Sequence, residues 1–230
     1  VMWQLSESID GMAEACRGLG LPVIGGNVSF YNESSGADID PTPTIAVLGV
    51  IDLLERRPPG AVFSAGTTVV LLGEAGEASL AGSRWAVERR GHRGGALPAL
   101  DLEAHGRLLA LVRSLVARSG LLGGIHDVSG GGLGVALAEC AVRSGVGCVV
   151  SGIAGHRALF TEGTGRVVAC SADPEAVLGA AAGAGVPASV LGEAGGDRIV
   201  VDGLLDVMVA DARAAWRAAL PEALGEPVGS

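Results

Sequence analysis

The stretch Ala188-Ser189-Val190-Leu191-Gly192-Glu193-Ala194-Gly195-Gly196-Asp197-Arg198-Ile199-Val200-Val201 decides the fold class. It holds two short apolar runs, 188–191 and 198–201, that read as strands lying so close in sequence that hairpin pairing is favoured over a purely parallel sheet. Upstream, Asp173-Pro174 is an N-cap followed by proline at the first helical position and opens a helix to about Ala182. Before it come a strand over 166–170, a strand over 147–150, a helix over 133–143 and a strand over 121–126. Asp101 caps a helix carrying Leu102, Leu108, Leu109, Val112, Leu115 and Val116 that Gly120 stops. A helix over 77–88 and a strand over 67–72 precede that. Downstream, Asp211 caps a last helix through Leu220, and the tail 221–230 is expected to fray. Helices and strands alternate irregularly, so the expectation is α+β with a mixed sheet.

At the other end, Leu5, Ile9, Met12, Cys16 and Leu19 recur at steps of four and three, one stripe of an amphipathic helix over 3–19 that ends at Gly20. Leu21-Pro22-Val23-Ile24 reads as a buried strand, and 44–54 as a second strand after Pro41-Thr42-Pro43. Charges, two prolines and a glycine crowd Glu55-Arg56-Arg57-Pro58-Pro59-Gly60, which marks the expected domain boundary: residues 1–57, then 58–230. The first helix opens with no cap or polar leader, and the chain is accordingly expected to be a piece of something longer.

Composition removes several classes of function. Hydrophobic residues make up 49% of the 230, yet no apolar run approaches the ~20 residues needed to cross a bilayer, so a membrane partner is not expected. No basic leader precedes an apolar core at the N-terminus, and the expected location is the cytoplasm. All 16 basic residues are arginine, which leaves no lysine for a P-loop, a Schiff base or a lysine general base. A net charge of −9 argues against nucleic acid. Cys16, Cys140, Cys148 and Cys170 form no CxxC pair and read as buried free thiols.

Two segments carry candidate chemistry. Gly25-Gly26-Asn27-Val28-Ser29-Phe30-Tyr31-Asn32-Glu33 brings backbone N–H groups, a neutral amide oxygen and a hydroxyl together after an apolar stretch. That suits half of a phosphate and Mg²⁺ site, with Gly26 facing a nucleotide, Asn27 a metal and Ser29 a phosphate; a plain strand turn is the alternative. Asn27 alone holds no Mg²⁺, which needs several oxygen ligands. His126-Asp127-Val128-Ser129-Gly130-Gly131-Gly132-Leu133 is a strand end, a triple-glycine turn and a helix start. It reads either as an anion site or as a tight connection capped by Asp127 or Ser129. His126 and Asp127 also suggest an acid/base pair, against which stands the alternation of faces along a strand. Arg89, Arg90, His92 and Arg93 form a basic, Gly-bounded loop, either a phosphate contact or a solvated surface. Glu139, Glu162 and Glu193 show no spacing that marks paired carboxylates. No complete active site is present.

The motif at 25–33, with Pro41-Thr42-Pro43, resembles the second half of phosphoribosylformylglycinamidine synthase, the amidoligase of purine biosynthesis. The likeness runs on through Gly82-Ser83, Pro98 to Glu103, His126 to Leu133, Leu159-Phe160, Gly165-Arg166 and Leu191-Gly192-Glu193. The Asp-Val-Ser-Gly-Gly-Gly region is also similar to the wider superfamily that includes aminoimidazole ribonucleotide synthetase and selenophosphate synthetase. The resemblance implies a mixed-sheet α/β sandwich, the last C-type domain of that superfamily, preceded by the end of an N-type domain. It implies ATP and Mg²⁺ as cofactors and formylglycinamide ribonucleotide as substrate. Expected partners are a glutaminase subunit or domain and a small accessory subunit. By position Gly26 matches an ATP contact, Asn27 a Mg²⁺ ligand and Ser29 a substrate contact. The family's catalytic histidines fall outside this chain, so no catalytic residue is assigned and the chain alone is expected to be inactive. Relatives read Asp-Val-Ser-Asp-Gly-Gly where Gly130 stands, and Gly-Ser-Glu-Tyr where Gly82-Ser83-Arg84-Trp85 stands; no catalytic role passes to Asp127 or Arg84. A non-catalytic nucleotide-binding scaffold and another enzyme of the superfamily are the rival expectations.

Overall fold

The computed structural model describes residues 2–29, 33–53, 57–74 and 78–225. Phe30, Tyr31 and Asn32 of the first motif, Glu55 and Arg56 of the expected boundary, Glu77 and the end of the tail lie outside them. The chain forms two compact units, Val1–Asp52 and Leu53–Ser230.

The first unit holds helix α1 (Met2–Leu19) and a two-residue hairpin, β1 (Glu33–Ser34) with β2 (Ala37–Asp38). The strands expected over 21–24 and 44–54 are absent among the described residues: 21–29 and 39–51 carry neither helix nor strand. A strand persists only where a neighbour takes its backbone N–H and C=O groups, and β1 and β2 pair only with each other. Val23 and Ile24 stand 77% and 84% exposed, the reverse of the buried reading.

The second unit is built on a seven-stranded sheet of β3 (Thr67–Leu72), β4 (Gly124–Asp127), β5 (Cys148–Val150), β6 (Val167–Ser171), β7 (Ala188–Ala194), β8 (Arg198–Val201) and β9 (Leu205–Met208). The order is β4-β6-β3-β7-β5-β8-β9. Every pairing is antiparallel except β5 with β8, so the sheet is mixed as expected. The expected hairpin between 188–191 and 198–201 does not form. Strand β5 lies between β7 and β8, Val149 pairing with Glu193 on one side and Val200 on the other. The hairpin partner of β8 is instead β9, a strand the sequence pattern did not suggest.

Helices α2 (Arg84–Arg90), α3 (Leu102–Val116), α4 (Gly132–Ser144), α5 (Gly155–Phe160), α6 (Pro174–Gly183) and α7 (Val209–Leu224) complete the unit. Asp101 and Asp173 cap α3 and α6 through their carboxylates as the sequence predicts. The helix expected from 77 begins only at Arg84, where the Ser83 hydroxyl accepts the Ala86 N–H at 3.2 Å. α7 starts at Val209 directly from β9, so Asp211 stands in its first turn rather than at the cap. It runs past Pro221 to Leu224 and ends at Gly225, so the first residues of the expected loose tail are helical.

Two hydrophobic cores sandwich the sheet. On one face Val69, Cys148, Val150, Cys170, Ile199 and Val201 pack with Leu133, Leu137 and Cys140 of α4, Leu159 of α5 and Val209 of α7. On the other, Val70, Leu72 and Ala169 pack with Leu108, Leu111 and Leu115 of α3 and Val177 and Ala181 of α6. The central strands β3 and β6 are therefore buried nearly continuously, as strands covered on both faces are.

Candidate functional site

In the first unit, Gly26, Asn27 and Ser29 share one exposed, irregular run. Nothing overlies Gly25 or Gly26 where a Cβ would stand, so a ligand can approach that backbone closely. Among the described residues no group of three or more His, Cys, Asp or Glu side chains is placed to hold a metal ion. Mg²⁺ takes several oxygen ligands, and an asparagine side chain has one to give.

In the second unit, β4 delivers His126 and Asp127 to the mouth of the triple-glycine turn. Asp127 is the last residue of the strand, and its carboxylate turns back to the ring: His126 Nδ1 lies 3.1 Å from Asp127 Oδ1. The pair opposed by strand alternation therefore does meet. His126 Nε2 faces Glu139 Oε2 of α4 at 2.5 Å. A neutral imidazole has one N–H to give, so both bonds form at once only when the ring carries two protons or a carboxyl carries one. Partial burial works to raise the Asp127 carboxyl, but the Ser129 side chain and His126 outweigh it and hold it below its ordinary value of 3.8.

Neither Asp127 nor Ser129 caps α4. The N-cap is Gly131, in the left-handed region at φ 82°, with no side-chain bond of its own. Its N–H donates instead to Glu162 Oε1 at 2.8 Å, and the same oxygen accepts the Arg84 N–H, the first of α2, at 2.6 Å. One carboxylate thus stands at two helix starts, a position that suits negative charge. Gly132 fits because its backbone presses on α5's end: a Cβ there would lie 2.7 Å from Thr161 O and 2.8 Å from Leu159 O. Buried Arg166 donates from Nη2 to that Thr161 carbonyl at 2.5 Å, and its Nε has no partner. Burial pushes its guanidinium down from the usual value.

Glu139 and Glu162 are the residues that sequence spacing missed. Their partners lie 13, 31 and 78 positions away, beyond any local pattern.

The sheet and the Gly-rich turn match a known architecture. Residues 64–203 match the model described as AIR synthase related protein, C-terminal domain, and residues 1–51 that of its N-terminal domain. The chain belongs to the AIR synthase related family. Within it, the chain is 45% identical over 231 residues to the phosphoribosylformylglycinamidine synthase subunit PurL of Nocardioides sp. (strain ATCC BAA-499 / JS614) and 41% identical over 229 residues to that of Caulobacter vibrioides. Each match covers 98% of this chain but only 30% and 31% of the relative; the chain spans about a third of their length. Among solved structures, Thermotoga maritima PurL complexed with FGAR superposes with a TM-score of 0.57 at 17% identity, over 70% of this chain and 30% of the other. The AMPPCP complex of the same protein gives 0.54 at 16%, over 70% and 28%. No described helix is long and apolar enough to cross a membrane.

Proposed function

We propose that this chain serves as part of an ATP-dependent amidoligase that converts formylglycinamide ribonucleotide to its amidine. The observation that carries the reading is the match along nearly its whole length to subunits named for that synthase. The structural neighbours, Thermotoga maritima PurL complexed with FGAR, ATP, ADP and AMPPCP, support the substrate and the nucleotide. In the proposed reaction the substrate's amide oxygen takes the γ-phosphoryl group and ADP leaves. Ammonia from a glutaminase partner adds to the activated carbon, and phosphate departs with the C–O bond. Mg²⁺, when bound, would neutralise charge on the phosphoryl group.

Within this scheme residues 1–57 end an N-type domain and 58–230 form the following C-type domain. Gly26 offers its backbone to ATP, Asn27 gives one oxygen to Mg²⁺, and Ser29 binds the substrate. The triple-glycine turn is a structural joint, a reading supported by Glu162 already taking the Gly131 N–H. A glutaminase and a small accessory subunit are the proposed partners, in the cytoplasm. The test is ATP-dependent product formation by the intact synthetase carrying Ser29→Ala. A rise in KM for formylglycinamide ribonucleotide of about tenfold, the worth of one lost hydrogen bond, is expected. Unchanged KM and kcat would instead support a scaffold role for the segment.

A further inference from the structure

Arg90 and His92 take no part in the amidoligase chemistry proposed above, yet both line a cleft beside Trp85. The cleft, about 360 Å³, is lined by Leu80 and Ala81 ahead of α2, by Trp85, Ala86 and Arg90 of the helix and by His92 after it. The wall is folded back tightly. Gly91 ends α2 in the left-handed region, and a Cβ on Gly95 would stand 2.6 Å from the Ala81 Cβ. The start of α2 is fixed as well. Buried Ser83 donates to Leu80 O at 2.7 Å and accepts from Ala86 N–H, while Glu162 accepts from Arg84 N–H.

Trp85 is half-buried, with the His156 ring 5.3 Å away at a tilt of 35°. The Arg90 guanidinium lies 5.8 Å from the indole centroid, near the outer limit of a cation–π contact. Among the described residues no carboxylate pairs with Arg90 or Arg89. An indole beside small apolar side chains suits a flat ring, and an arginine without a counter-charge in the same lining suits an anion attached to it. The volume lies at the low end for small-molecule sites, which fits a mononucleotide. We infer that the cleft of Trp85 and Arg90 binds a planar aromatic ring bearing a phosphate, the ring on the indole and the apolar lining and the phosphate on Arg90. This site uses none of Gly26, Asn27 and Ser29 and does not depend on the function proposed for them.

The whole chain with Trp3→Phe and Trp216→Phe keeps Trp85 as its only indole, and its fluorescence is titrated with AMP, adenosine and ribose 5-phosphate. Saturable quenching by AMP is expected, with adenosine about tenfold weaker for want of the charge-assisted contact and ribose 5-phosphate silent. Arg90→Ala should weaken AMP by a similar factor. In equilibrium dialysis Trp85→Leu should abolish AMP binding while the melting transition stays cooperative. Absence of saturable quenching by AMP up to about 10 mM, an affinity too weak to mark a site, overturns the inference. So does AMP binding by dialysis that survives both Trp85→Leu and Arg90→Ala, which would place the nucleotide elsewhere in the chain.

Discussion

Glu162 illustrates what single residues contribute here, since one oxygen of its carboxylate satisfies the opening N–H groups of two helices. Removing it orphans both donors, so Glu162→Ala should cost about 2–4 kcal/mol, read as a fall in thermal midpoint. Glu162→Gln keeps an acceptor oxygen and should lose less than half of that. Asp127 sets a pH dependence whose sign follows from its lowered value. A carboxyl held below its unfolded value contributes stability that is full above about pH 4 and is lost as pH falls through the folded value. Asp127→Asn should flatten that acid limb, and Ser129→Ala should raise the Asp127 titration midpoint, as read by carboxyl NMR. The Glu162 contacts were not legible in sequence, because Glu162, Arg84 and Gly131 share no period. Asp101 and Asp173 were legible, because a capping carboxylate and its N–H lie three residues apart.

At the scale of elements, strands and helices of the second unit were legible wherever burial imposes a period, as in β3, β6, α3 and α6. What failed was pairing. The runs at 188–191 and 198–201 are neighbours in sequence, but the three-residue β5 separates them, and so short a strand carries too little pattern to announce where it inserts. The core that β5 enters holds three thiols. Burial pushes Cys140 and Cys148 up to about 12 and Cys170 to about 11, so at pH 8 all three remain protonated and unreactive. Ellman's reagent should therefore label one thiol quickly in the native chain, Cys16, and four after denaturation. The α4–α5 junction makes a second prediction. Gly132 sits at φ 68° against two carbonyl oxygens, so Gly132→Ala should destabilise by about 2–3 kcal/mol or more, seen as a lower denaturant midpoint.

For the molecule as a whole, every buried hydrophobic side chain among the described residues lies at Phe63 or later. Limited proteolysis should accordingly trim the first unit and leave a resistant product containing 63–209, identified by mass. The first unit was the less legible half for the same reason. Its apolar runs, with Leu48 82% and Val50 86% exposed, carry strand-forming composition, but within the unit no ladder pairs them, and composition cannot supply a partner. The motif at 25–33 is proposed as chemistry on its residue types alone, glycines, an amide and a hydroxyl. The proposal that this motif serves phosphoryl transfer meets its most direct test in the kcat of the intact synthetase carrying Asn27→Ala, measured as ATP-dependent amidine formation across a Mg²⁺ titration. Loss of one metal ligand predicts a kcat lowered about 100-fold and a raised Mg²⁺ requirement. A variant with unchanged kcat and an unchanged Mg²⁺ curve would contradict it.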